Sequence, residues 1–205
     1  MDRPVSRHLC WLMGRGRINS AFVFWLMMLL GLAPTRPAAA ERLTICHGYS
    51  CYYETRLDFG AQDLSRIASI MRAGSSSPEA ERRALSRAIQ YFERRASGVL
   101  GVRDRPKGEL GHGRELGQMD CIDESTNTTT LLRLIEAKGM LRHHRVLRRT
   151  SRGYLLDNRF PHFAAVIVDK SGRRWAVDSW YEPGGGAPDI MPLDQWKQRG
   201  VAGKR

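Results

Sequence analysis

The chain has 205 residues, 42% of them hydrophobic, with 33 Lys and Arg against 21 Asp and Glu. No internal repeat or heptad pattern runs through it, which excludes solenoid and coiled-coil architectures and leaves one domain with a single sizeable core. The formal charge of +12 would suit nucleic acid or anionic surfaces, yet the arginines are spread over helix faces without an aromatic-interleaved strip, so no nucleic-acid partner is expected.

Residues 1–40 read as a targeting segment. Arg3, Arg7, Arg15 and Arg17 precede the apolar run Ala21 to Ala33, and Pro37 to Ala40 offer an A-x-A cleavage site before Glu41. The run falls short of the ~18–20 residues that span a bilayer, so a signal peptide is expected and no stable membrane span after its removal. Met1 and Met13 both remain candidate starts. No cysteine follows the run at the cleavage site, so nothing indicates a lipoprotein. The expected mature domain, residues 41–205, keeps 28 basic and 20 acidic residues after the leader's five arginines and one aspartate are removed. Its place is outside the cytoplasm, in a bacterial periplasm or secreted.

Cysteine usage agrees with export. Cys10 belongs to the leader, and in an oxidising compartment the close pair Cys46 and Cys51 is expected to form a disulfide, leaving Cys121 free. Zinc at Cys46, His47 and Cys51 is a lesser alternative, because the spacing is poor and no second ligand pair is evident. Short extended segments are expected at Arg42 to Ile45 and at Tyr49 to Tyr53. A helix over Gly60 to Ala73 would bury Leu64, Ile67, Ala68 and Met71. A second is capped by Ser77, takes Pro78 in its first turn, buries Leu85, Ala88, Ile89 and Phe92, and stops at Gly98; its charges are read as a solvated face.

The polar, glycine-rich stretch Gly101 to Gly117 reads as a long loop and a candidate substrate flap, with His112 solvent-exposed. Next comes the stretch around which the chain is organised, Gly117 to Gly139. Asp120 is a good N-cap, Asp123 stands where it can complete a capping box, and Cys121 falls at the first helical position. Ile122, Ser125, Thr129, Leu132 and Ile135 form the expected packed stripe, and Lys138 with Gly139 the stop. Unpaired N–H groups and the positive end of the helix dipole favour thiolate there. The competing reading of Cys121 is a small buried hydrophobe. Gln118 is a candidate to supply an amide N–H to an oxyanion, beside the Cys121 backbone N–H.

Leu141 to Arg149 alternates as a strand, with His143 and His144 on opposite faces, and Ser151 to Pro161 is a connecting loop. Phe163 to Asp169 and Arg174 to Trp180 are β-rich runs joined by Lys170, Ser171 and Gly172. A three-residue loop with glycine at its third position fixes a hairpin in which Asp169 pairs with Arg173. In that register His162 and Asp178 share a face as diagonal neighbours, within side-chain reach; a two-residue loop would put them on opposite faces. The tail has a turn at Gly184 to Gly186 and a short helix at Leu193 to Gln198, with Trp196 as a packing anchor.

A cysteine at a helix start, a histidine at a strand start and an aspartate on the adjacent strand have the logic of nucleophile, base and orienter. The sequence DC at the helix start, PH before an apolar strand and VDSW on the next resembles the transglutaminase-like superfamily, and most nearly its bacterial transglutaminase-like cysteine proteinases, over about Gly117 to Trp180. The resemblance implies an α+β fold with a papain-like core, N-terminal helices packed on an antiparallel sheet. It implies Cys121 as nucleophile, His162 as general base and then acid, and Asp178 holding the imidazole, acting on a protein or peptide substrate through an acyl-enzyme. Periplasmic members of that proteinase group can carry an acid just after the cysteine that helps bind calcium. Ile122 stands there in this chain, with Asp120, Asp123 and Glu124 nearby, so no cofactor is expected beyond calcium at Asp120 and Asp123 as a minor alternative. Transglutaminase-type acyl transfer, cell-wall peptide cleavage, a non-catalytic periplasmic protein-binding domain of the same fold and a metal-binding protein are the rival readings.

Overall fold

The computed structural model describes residues 40–108, 111–153 and 161–199. The expected leader, residue 40 apart, and most of the expected loop before His162 lie outside them. Among the described residues the architecture is α+β, with two antiparallel sheets and four helices. Strands β1 (Glu41–His47) and β2 (Tyr53–Phe59) form one sheet, and helices α1 (Ala61–Ala73) and α2 (Pro78–Leu100) follow. Helix α3 (Cys121–Ala137) then leads into β3 (His144–Arg152), β4 (His162–Asp169), β5 (Arg174–Asp178) and β6 (Asp189–Pro192), which pair in that order, and α4 (Leu193–Gln198) closes the chain. No described helix is long and apolar enough to cross a membrane.

One apolar core joins the layers. Phe59 of β2, Leu85 and Phe92 of α2, Leu131 and Ile135 of α3 and Ile167 of β4 are all nearly inaccessible within it. Helix α3 thus sits between the helical layer and the larger sheet. Its buried face differs from the expected stripe: Ile122 and Thr129 are only partly covered, while Asp123, Glu124, Asn127 and Thr128 are buried. The first two turns pack through polar side chains that bond neighbouring segments, and apolar packing takes over from Leu131 onward.

The hairpin has the expected register. Asp169 N–H donates to Arg173 O at 3.0 Å, Ala165 pairs with Val177, and Gly172 carries a φ of 86°. Other boundaries moved. Helix α2 runs past Gly98 to Leu100, because Gly98 faces open space and Gly101, at φ 70°, supplies the left-handed stop. Ala68 is only half-covered. Strand β3 starts at His144 and continues through Arg152, since Glu81 captures the N–H groups of Arg142, His143 and His144 and keeps that entry irregular. Glu81 is itself 1% exposed and also bonds His144 Nδ1 at 2.8 Å, an exception to the solvated face expected of α2.

The expected extended segment at Tyr49 to Tyr53 is instead a turn leading into β2. Gly48, Tyr49, Ser50 and Cys51 all have positive φ, between 55° and 81°. The Cys46 and Cys51 sulfurs lie at bonding distance, 2.22 Å, and close this turn.

Candidate active site

The start of α3 is held from two directions. Asp120 Oδ1 accepts from the N–H groups of Ile122 (3.0 Å) and Asp123 (2.9 Å), and Asp123 reaches back to the Asp120 N–H at 3.3 Å, completing the capping box. The disulfide turn supplies the other direction. Tyr49 and Cys51 N–H donate to the two Asp123 oxygens at 2.8 and 2.5 Å, and Ser50 N–H donates to Asp120 Oδ2 at 3.1 Å. Successive left-handed residues aim their N–H groups to one side, an anion-binding nest, here filled by the cap carboxylates of another helix. One turn further on, Asn127 exchanges two 2.8 Å bonds with the Cys46 backbone. The disulfide was legible from spacing; its docking onto the cysteine helix was not.

Cys121 is the free cysteine of the described residues and is partly buried. Its Sγ lies 4.0 Å from the Pro161 carbonyl and near the Phe163 N–H, so the thiol meets backbone on either side of His162. Burial pushes the thiol up to about 11; the Phe163 N–H opposes this, while Asp120 and Asp178 add to it. The expectation of a thiolate favoured by the helix start is therefore reversed in this arrangement, because desolvation and two neighbouring carboxylates outweigh the dipole.

His162 and Asp178 are each 3% exposed, and His162 Nε2 lies 2.8 Å from Asp178 Oδ2. A carboxylate only accepts, so Nε2 carries the proton of the neutral ring and Nδ1 is its acceptor. Asp178 Oδ2 also accepts from Trp196 Nε1 at 2.7 Å, and Oδ1 from the Trp180 N–H at 3.3 Å. Trp180, Tyr181 and Trp196 surround the imidazole with centroids 4.8, 6.1 and 5.8 Å away. Arg152, the strand partner of His162, is 3% exposed; its guanidinium lies over the Trp196 ring and donates to Tyr181 Oη at 2.7 Å. Trp196 was expected only as a packing anchor. Its indole N–H on Asp178 gives it a second part, for which an indole near the chain end gave no sequence signal.

The remaining candidates lie elsewhere. Gln118 Oε1 accepts from Arg105 N–H and Nε at 3.2 and 3.0 Å, and its amide N–H donates to Arg103 O at 3.4 Å, so this carboxamide serves the preceding loop. At the helix start, Ile122 and Asp123 N–H go to Asp120 Oδ1 and Glu124 N–H to Asp120 O, while the Cys121 N–H lies against its own sulfur. All four oxygens of Asp120 and Asp123 accept hydrogen bonds, mostly from backbone. In the Cys46, Cys51 and Asp123 group the two sulfurs are joined to each other, and His47 bonds Thr55 Oγ1 and Gly117 N–H. His112 bonds Glu115, and His143 the Ser75 carbonyl.

The geometry therefore brings a thiol at a helix start beside the backbone that carries a buried His–Asp pair, with an N–H donor next to the sulfur. Such a set can move a proton off sulfur and receive negative charge on a carbonyl oxygen. Compared with family models, curated proteins and solved structures, the chain matches none.

Proposed function

We propose that this chain is an exported thiol-dependent peptidase or amidase of the transglutaminase-like type, with a papain-like core and Cys121, His162 and Asp178 as its triad. The observation that carries the reading is the 2.8 Å bond between His162 and Asp178, on the strand register that the hairpin dictates, beside a thiol that contacts Pro161. Cys121 Sγ attacks the substrate carbonyl while its proton passes to His162 Nδ1, and Asp178 holds the imidazolium through Nε2. The Cys121 N–H faces the oxygen that gains charge. His162 then returns the proton to the leaving amine, and water resolves the acyl-enzyme; an amine in place of water gives transamidation with the same residues. Because burial raises the resting thiol, the proton transfer belongs to the attack itself and not to a preformed ion pair. The leader-like segment, the Cys46–Cys51 pair and the free Cys121 support a periplasmic or secreted setting.

The rate of Cys121 alkylation by iodoacetamide against pH tests this, in the protein and in His162→Ala. The expected result is alkylation faster near neutral pH than the thiolate fraction of a thiol raised to about 11 allows, because His162 takes the proton during attack, and a loss of that excess in the variant. A slow thiol with the same profile in both proteins would make Cys121 structural and turn the reading to a protein-binding domain of this fold.

A further inference from the structure

The face of α3 beside β3 carries a basic groove that the proposed triad leaves unused. It encloses about 510 Å3 and is lined by Arg133 of α3, Arg148 and Arg149 of β3, Leu147 and three threonines, with no Asp or Glu among its described lining residues. Leu147 pairs with Val166 and Thr150 with Ala164, so Arg148 and Arg149 stand together against one residue of β4 in a bulge. A regular strand would send these two side chains to opposite faces. The bulge instead leaves both exposed and lining one groove.

The three arginines differ in what holds them. Arg149 Nη1 donates to the Ile122 carbonyl at 3.2 Å and to Thr126 Oγ1 at 2.6 Å, and its guanidinium lies 5.3 Å from the Phe163 ring. Arg133 pairs with Glu136 at 2.8 Å. Arg148 makes no hydrogen bond or ion pair with any described residue. Thr126, Thr129 and Thr130 spend their hydroxyl hydrogens on carbonyls one turn back, at 2.6, 2.6 and 3.0 Å, so the donors left to a ligand are guanidinium N–H groups. Such groups take a carboxylate through two parallel hydrogen bonds.

The groove also begins at the candidate site. Arg149 bonds the carbonyl of the residue after Cys121, and the Phe163 beneath it has its N–H near Cys121 Sγ. Thr126 and Arg133 lie five and twelve residues beyond Cys121 on the same helix, which is roughly 7 and 18 Å along its axis. We propose that this groove binds acidic side chains of the substrate, so that the favoured peptides carry Asp or Glu roughly two to five residues from the attacked carbonyl, the span an extended chain needs to reach it. The assignment rests on the peptidase reading. A flat anionic surface meets the exposed arginines without entering a groove between a helix and a strand, which favours a peptide over a membrane.

The test labels Cys121 with two amidated peptides, bromoacetyl-Gly-Gly-Glu-Glu-Glu and its Gln counterpart, and follows modification of Cys121 by mass spectrometry. The acidic peptide is expected to label about tenfold faster at about 50 mM salt, with the ratio falling toward one at about 500 mM. The ratio compares two probes on one thiol, so a change in the thiol itself cancels. Arg148→Glu should bring it to one or below. Arg87→Glu, at an exposed arginine of α2 outside the groove, makes the same change in net charge and should keep it. Equal rates in the unmodified protein overturn the proposal, as does a ratio that survives Arg148→Glu or falls equally in Arg87→Glu. Equal rates together with sedimentation on phosphatidylglycerol vesicles would overturn it in favour of a membrane contact. Should Arg148→Glu fail to fold, Arg148→Gln takes its place, and a ratio unmoved by salt in the unmodified protein is equally fatal. His162→Ala should slow both peptides and leave their ratio, so failure of the triad and failure of the groove read out separately.

Discussion

Two buried carboxyl centres lie near the cysteine helix and differ in what they face. Asp178 accepts from His162, Trp196 and the Trp180 backbone, so its oxygens are matched by donors on β4, on α4 and in the turn after β5. Glu124 and Asp104, equally buried, turn one oxygen each toward a space with no donor. The contrast teaches that burial alone does not decide how a carboxyl behaves; the supply of donors does. The first centre is pre-organised for one orientation of one imidazole. The second is left to keep protons.

Removing the satisfied centre should have the largest effect. Asp178→Ala leaves three buried donors unpaired and is expected to cost about 3–5 kcal/mol in urea denaturation, besides suppressing Cys121 alkylation. If stability instead holds within experimental error, the donors around Asp178 are not the fixed frame described here. The unsatisfied centre should show itself through pH. Carboxyls whose folded values are raised bind more protons folded than unfolded, so stability should fall as pH rises from about 4 through about 7, by on the order of a few kcal/mol. Urea midpoints across that window check it, and Glu124→Gln should flatten the slope. Replacing Cys46 and Cys51 by Ser is expected to cost about 2 kcal/mol and to slow Cys121 alkylation, since the N–H donors to Asp120 and Asp123 lose their constraint. Trp196→Phe keeps the ring and deletes one bond to Asp178. A loss of about 1 kcal/mol with a shifted alkylation profile would sharpen the assignment of Trp196 to the His–Asp pair, and no change in either would remove it.

The sequence made the parts of this site with local causes readable. A cap residue and its capping box placed Cys121 at the first position of a helix, and a three-residue loop with Gly172 fixed the register that puts His162 and Asp178 on one face. Long-range polar pairings were hidden. Glu81 looks like any charge on an amphipathic helix until it captures three N–H groups more than sixty residues away. Trp196 and Asp104 likewise acquire their parts only through segments that fold onto them. The upward push on the thiol was hidden for a related reason: the helix dipole is local and legible, whereas burial and the approach of Asp178 are tertiary. Gly98 misled because a glycine on an open helix face is tolerated, and the chain had a better stop three residues later.

The left-handed turn at Gly48 to Cys51 carries one more consequence. Tyr49, Ser50 and Cys51 bear side chains in a backbone region that costs L-residues roughly 1–2 kcal/mol each, so this conformation is held only while the disulfide and the two cap aspartates hold it. Before oxidation the turn is free to relax, and the cap that seats Cys121 loses its donors. Oxidation of two cysteines five residues apart is thereby coupled to the seating of the helix that carries Cys121.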